Sequence, residues 1–191
     1  MSAMLYLNFH PFPVLTTERL TLRPVTHEDN EEVFFLRSDR EVMKYLGQPL
    51  AASTQEIIAY IDNLIDKTNT NEGIAWAITI RNDTKLIGII AFRKFQKEHY
   101  RGELGYGLHP DWQNKGIMHE AMGAVLDYGF TTIRLHSVEA NVDKENIASI
   151  RLLEKNNFTK EAHFKENYYF EGRFIDSVIY SLINPRDIGP L

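Results

Sequence analysis

No cysteine occurs in the chain, and that one absence removes disulfides, thiolate metal ligands and a cysteine nucleophile together. Long apolar runs are missing too. The longest are of the kind "LIGIIAF", residues 86 to 92, far short of the roughly 20 residues that span a bilayer. The opening "MSAMLYLNFHPFPVL" has no basic start followed by an apolar block, so no secretory signal is expected, and the cytoplasm is the expected location. Positive charge is in deficit, with 21 Lys and Arg against 26 Asp and Glu and a net charge of −5. Nucleic acid is therefore not expected as the main ligand, because phosphate binding rests on dense basic surface. The seven histidines show neither His-x-x-x-His nor carboxylate-paired spacing, so no metal site is predicted. Gly-x-Ser-x-Gly elbows and Walker loops are absent as well.

What remains is ordinary globular material. With 191 residues, 43% hydrophobic and 25% charged, the chain can build one domain around one sizeable core. "RLTLRPV", residues 19 to 25, alternates apolar and polar positions as a half-buried strand does. Thr26 offers an N-cap for a helix through Phe34 and Leu36. The acidic run Glu28, Asp29, Glu31 and Glu32 falls in its first turns, where the helix dipole favours negative charge, and reads as a solvated helix start. Ser38 with Glu41 and Ser53 with Glu56 both fit the capping box, so two more helices are expected. The second carries Ile57, Ile58, Ile61, Leu64 and Ile65, a stripe that buries one face. "IAWAITI" (74 to 80), "LIGIIAFRKF" (86 to 95) and "GELGYGL" (102 to 108) then read as an antiparallel meander.

The stretch "HPDWQNKGIMHEAM", residues 109 to 122, leaves a strand and enters a helix through Gly116. Glycine permits a tight turn and a close approach, and the first helical amides lack partners. By itself such a glycine suits a plain loop as well as an anion site. Ile117, Ala121, Ala124, Val125 and Tyr128 share the face of the helix that follows. "RLHSVEANV" reads as a strand, and "DKENIASIRLLEKNNF" as a short helix capped by Asp143 or a neighbour and ended at Asn156 and Asn157. "YYFEGRFIDSVIYSLI" reads as two strands about a turn at Glu171 and Gly172. In it, Tyr168 and Tyr169 suit either packing or the wall of a site, and Asp176 suits internal pairing. Gly105 and Gly107 within their strand suggest a bulge or a close backbone approach. The order is β-α-α-α-β-β-β-α-β-α-β-β in one α/β domain over residues 1–191, with its core at about 15–184 and a mixed sheet.

"QNKGIM" before a helix, then a strand, then "NIASIRLLEKNNF", resembles the acetyl-CoA-binding core of the GNAT superfamily of N-acetyltransferases. "TERLTLRPV", "ELGYGLHPDWQNKG" and "GRFIDSVIYSL" are similar to its RimJ/RimL-like, ribosomal-protein N-acetyltransferase branch. The resemblance implies a mixed central sheet of about seven strands, flanked by helices, with a splayed or bulged fourth strand. It implies acetyl-CoA as co-substrate and no metal. Gln113, Asn114, Lys115, Gly116, Ile117 and Met118 would form the pyrophosphate loop, Met118 standing where the superfamily prefers a smaller residue. Leu108 and His109 would lie beside pantetheine, with the Leu108 amide near the thioester oxygen. Asn146 would face pantetheine, and Ser149 the sulfur.

The resemblance also implies catalytic roles. Glu103 would take the proton from the amine, directly or through water, although such a glutamate without the resemblance is usually a solvated one. The superfamily's tyrosine donor falls at Leu153, which cannot donate. Ser149 would protonate the leaving thiolate instead, unless it back-bonds to a helix carbonyl and water supplies the proton. With no cysteine to carry the acyl group, attack would be direct, in a ternary complex. The acceptor would be a primary amine, either a ribosomal-protein N-terminus or a small amine such as a polyamine or amino sugar. A non-catalytic acyl-CoA sensor or subunit is the alternative, and the assembly would be a monomer or homodimer.

Overall fold

A computed structural model describes residues 5–186. The strands Leu20–Pro24 (β2), Ile74–Ile80 (β3), Leu86–Gln96 (β4) and Arg101–Leu108 (β5) pair antiparallel in chain order, so the expected meander is present. Leu15–Thr16 (β1) adds a short strand outside β2. Two residues carry no period, so no pattern in the sequence announces this strand. Ser137–Val142 (β6) joins β5 in parallel, and the hairpin of Thr159–Phe170 (β7) and Arg173–Ile183 (β8) completes the sheet. The order is β1-β2-β3-β4-β5-β6-β8-β7, eight strands rather than about seven. The hairpin turns at Glu171 and Gly172, both at positive φ, as the sequence predicts.

Strand periodicity divides the core between two faces. On β3 the large Ile74, Trp76 and Ile78 belong to one buried cluster, with Ala121, Met122 and Val125 of the helix Ile117–Tyr128 (α4). The small Ala75 and Ala77 belong to the other, with Val33 and Leu36 of Asn30–Ser38 (α1) and Ile57 and Ile61 of Thr54–Asn69 (α3). Alanines on that face let helix and sheet approach closely. Ile57 and Ile61 are fully buried, and each contributes about 1.5–3 kcal/mol of transfer free energy. The helix Ile147–Lys155 (α5) adds Leu153 to the α4 side.

Several local expectations shift. The first helix begins with a tight turn over His27–Asp29, and Thr26 and Asp29 cap it reciprocally. Asp29 is not part of a solvated start: it is buried and takes both Arg23 nitrogens, Nη1 at 2.9 Å and Nη2 at 2.6 Å. Ser38 closes α1 instead of opening a helix. Asp39 caps Arg40–Met43 (α2), its Oδ1 accepting from Val42 N at 2.9 Å. Ser53 and Glu56 do cap α3 as expected. A π-turn over Gly129–Ile133 follows α4, so β6 starts at Ser137 rather than Arg134. The bulge is real but sits on the neighbouring strand. Phe92 opposes Leu104 and Lys94 opposes Glu103, leaving Arg93 as the extra residue on β4.

Candidate active site

Parallel pairing of β5 with β6 stops at Glu103, and beyond it the two strands part. β5 stays bonded to β4, where His109 N donates to Ile87 O at 2.8 Å. Antiparallel pairs alternate between bonded and non-bonded. The pairs Gly107–Ile89 and Gly105–Ala91 are then the bonded ones, and the backbone groups of Tyr106 and Leu108 point away from β4, into the gap. Gln113 Nε2 meets the Leu108 carbonyl there at 3.2 Å. The Tyr106 and Leu108 N–H groups are left as donors in an open cleft, the arrangement a developing oxyanion requires.

Gly116 carries the chain into α4 at φ +76°, a conformation side chains rarely tolerate. Arg19 and Glu120 fasten this loop. Arg19 Nη1 donates to Lys115 O at 3.0 Å and its Nε to Glu120 Oε2 at 2.6 Å, while Thr17 Oγ1 donates to Glu120 Oε1 at 2.5 Å. Desolvation would raise the Glu120 carboxyl, but the bonds from Thr17 and Arg19 outweigh it and hold it below the usual carboxylate range. The first amides of α4 lack helical partners and stand at the positive end of its dipole. Met118 fits the site despite its size, because its side chain is buried in the core while its amide stays at the helix start. Backbone donors, a permissive glycine and a fixed loop suit a diphosphate.

A single cavity of about 850 Å³ links these parts. One arm lies between the α4 loop and α5, lined by Gln113, Asn114, Gly116, Ile117, Asn146 and Ser149. The other lies between β4–β5 and α1–α3, lined by Arg37, Leu46, Gln48 and Tyr60. They meet along Leu104–Leu108. Asn146 caps α5, its Oδ1 accepting from Ser149 N at 3.1 Å. The Ser149 hydroxyl reaches across to β5, where its Oγ is 2.5 Å from Tyr106 Oη. Burial pushes the Tyr106 phenol up to about 12, against the opposing pull of the Ser149 bond, so it keeps its proton at neutral pH. Leu153 is packed in the core.

Three expected site residues stand apart from the cavity walls. His109 stacks on Phe35 with ring centroids 4.3 Å apart, and its amide is taken by Ile87. Lys115 lies 5.2 Å over the Trp112 ring. Glu103 shares its strand face with Gly105 and Gly107, and its Oε1 is 3.8 Å from Arg93 Nη1. Tyr106 lines the cavity and is a residue that sequence reasoning missed, as are Arg37, Tyr60 and Arg93. Tyr168 and Tyr169 do not line the cavity either: Tyr168 Oη donates to Gly47 O at 2.7 Å, and Tyr169 packs on Phe174. Asp176 pairs internally, with Lys144 Nζ at 2.9 Å and His163 Nε2 at 2.7 Å. Among the described residues no group of three or more acidic or histidine side chains could hold a metal ion, and no helix is long and apolar enough to cross a membrane.

Comparison with known proteins adds an independent line. Residues 19–159 match the family described as the Acetyltransferase (GNAT) domain. The chain is 35% identical over 176 residues to the uncharacterized N-acetyltransferase YoaA of Bacillus subtilis, covering 92% of this chain and 99% of that one. It is 25% identical over 158 residues to the spermidine N(1)-acetyltransferase of Escherichia coli, covering 82% of each. A crystal structure of a GNAT-family acetyltransferase from Bacillus anthracis superposes with a TM-score of 0.81 at 27% identity, covering 91% of this chain and all of that one.

Proposed function

The chain belongs to the GNAT acetyltransferase family and is an N-acetyltransferase that draws its acetyl group from acetyl-CoA; from that premise we propose that both substrates occupy the one cavity together and that a primary amine attacks directly. The observation that carries this reading is the meeting of the two arms at the splayed end of β5. The α4–α5 arm receives acetyl-CoA, with its diphosphate on the amides at Gly116, Ile117 and Met118. The α1–α3 arm receives the acceptor. The Leu108 and Tyr106 N–H groups steady the charge that builds on the thioester oxygen.

Proton movements fall to residues on either side of that point. An ammonium must lose a proton before it can attack, and the departing thiolate must gain one. Glu103 takes the first proton through water, since its carboxylate stands on the acceptor face of β5 but outside the cavity wall. Ser149 gives the second from a hydroxyl held by Tyr106, as hydroxyls both donate and accept. A protein N-terminus and a small amine both fit this chemistry. The test is thiol release from acetyl-CoA with pooled amines, run beside Glu103→Gln and Ser149→Ala. Acceptor-dependent release that falls at least tenfold in each variant supports the assignment. Release that persists in Ser149→Ala removes the serine from the mechanism, and release that persists in Glu103→Gln removes the glutamate.

A further inference from the structure

The charge of the cavity is opposite to that of the chain. Against a net charge of −5, the described Lys, Arg, Asp and Glu side chains that line it are Arg37, Lys67, Arg93, Arg151 and Lys155, with Glu41 the one carboxylate. Arg151 and Lys155 belong to α5, which runs beside the start of α4: His119 Nδ1 is 3.0 Å from Asn156 Oδ1. On the reading above they serve the phosphates of acetyl-CoA. Arg37, Lys67 and Arg93 line the other arm, where that co-substrate supplies no phosphate.

Among the described residues these three cations have no tight anionic partner. Arg37 Nη1 donates to the neutral Gln48 Oε1 at 2.7 Å, and its guanidinium lies 4.9 Å from the Tyr60 ring centroid. Arg93 is the bulged residue of β4, and its nearest carboxylate is Glu103 at 3.8 Å. Gly105 makes room for it, because a Cβ there would lie 2.4 Å from Arg93 Cδ. Burial raises the half-buried Tyr60 phenol while the positive charges of Arg37 and Arg93 oppose the rise, and Arg37, Tyr60 and Arg93 line the same cavity. Lys67 follows Tyr60 by two turns on the same face of α3.

We infer that this arm is a subsite for an anion: the acceptor carries a carboxylate or phosphate near its reacting amine, and polyamines are poor acceptors. Guanidinium groups bind carboxylate and phosphate in paired hydrogen bonds, and a cationic wall repels a second ammonium. The inference rests on the reading that acetyl-CoA fills the α4–α5 arm.

Four acceptors test it: 2-aminoethyl phosphate, the tripeptide Ser-Asp-Asp, the tripeptide Ser-Lys-Lys and spermidine. Acetylation of one or both anionic acceptors is expected with kcat/KM at least tenfold above the cationic pair, and which of the two is used separates a small molecule from a peptide N-terminus. The double variant Arg37→Gln and Arg93→Gln should erase that preference while KM for acetyl-CoA moves less than twofold. Lys67→Gln, a milder change, should lower it about threefold. Equal or better use of the cationic pair overturns the inference, as does a preference that survives in the double variant. If none of the four is acetylated, each is titrated calorimetrically into protein saturated with CoA. Heat from the anionic pair alone, lost in the double variant, sustains the subsite while the reading that these amines attack acetyl-CoA directly falls. Heat from the cationic pair, or from none, overturns the subsite.

Discussion

Tyr106 Oη and Ser149 Oγ lie 2.5 Å apart, joining β5 to the first turn of α5 across the cleft where the two cavity arms meet. A phenol that keeps its proton until about pH 12 can donate to the serine, which leaves the serine hydrogen to point elsewhere. Ser149 lines the cavity at that point. On the proposed mechanism, the tyrosine would supply from β5 the phenol that the helical position Leu153 lacks, as a group that orients a serine.

Removing either hydroxyl should therefore have much the same cost. Ser149→Ala and Tyr106→Phe are each expected to lower kcat about 100- to 10,000-fold, the span of a lost proton donor, with KM for acetyl-CoA changed less than threefold. The double variant should be no worse than Ser149→Ala, because the phenol acts through the serine. Steady-state kinetics on the four proteins decide it, and additive losses would mean that the two groups act separately.

The same phenol predicts an alkaline limit. Its folded-state pKa is raised, so its contribution is complete below the ordinary tyrosine value near 10 and is lost as pH rises through about 12. A shift of about two units corresponds to roughly 2.7 kcal/mol. Urea unfolding at pH 9 and pH 11.5 should show wild type losing more stability over this interval than Tyr106→Phe, by about 1–2 kcal/mol. An equal loss in both proteins would assign the alkaline limit to other groups.

The pattern of what could be read from the sequence follows the range of the forces involved. Strands β2 to β5, the α3 stripe, the Asn156–Asn157 stop and the Glu171–Gly172 turn are local, and period or turn chemistry specifies them. Tyr106 was hidden because a strand's period places it on a face without saying what stands opposite; that depends on β6 parting from β5. Arg93 was hidden because an extra residue on one strand shows only against its partner. The buried Arg23–Asp29 pair was misread because an acidic run looks the same in sequence whether or not one member turns inward. Arg19 and Glu120 meet from 101 residues apart, and no local pattern encodes that contact.

That contact has its own consequence. Glu120→Gln keeps an acceptor for Thr17 and Arg19 but removes the charge that binds the guanidinium at 2.6 Å. The Lys115–Gly116 turn should loosen, raising KM for acetyl-CoA about three- to tenfold with kcat nearly unchanged, since the loop binds and does not react. In wild type the Glu120 pKa is lowered, so this grip is complete above the ordinary carboxylate pKa and fails only as pH falls through the lowered value. Wild-type KM should stay level from pH 8 to pH 5.5. An unchanged KM in the variant would show that Arg19 holds the turn through Lys115 O alone.

Tyr168 bears on the acceptor arm from outside it. Its hydroxyl donates to Gly47 O at 2.7 Å, fixing the segment between α2 and α3, and the next residue, Gln48, is the acceptor for Arg37 at 2.7 Å. Gly47 is held at φ +57°, and a Cβ there would lie 2.8 Å from Tyr168 Cε1, so ring and turn are closely fitted. Tyr168→Phe should lower stability by only about 1 kcal/mol, the net worth of one partly exposed hydrogen bond. Its kinetic effect should be selective, because the segment it fixes lines the acceptor arm and not the acetyl-CoA arm: KM for the acceptor rises about two- to fivefold while KM for acetyl-CoA holds. Measuring the two KM values side by side separates a hairpin that shapes the acceptor arm from one that merely stabilises the fold, for in the second case neither would move.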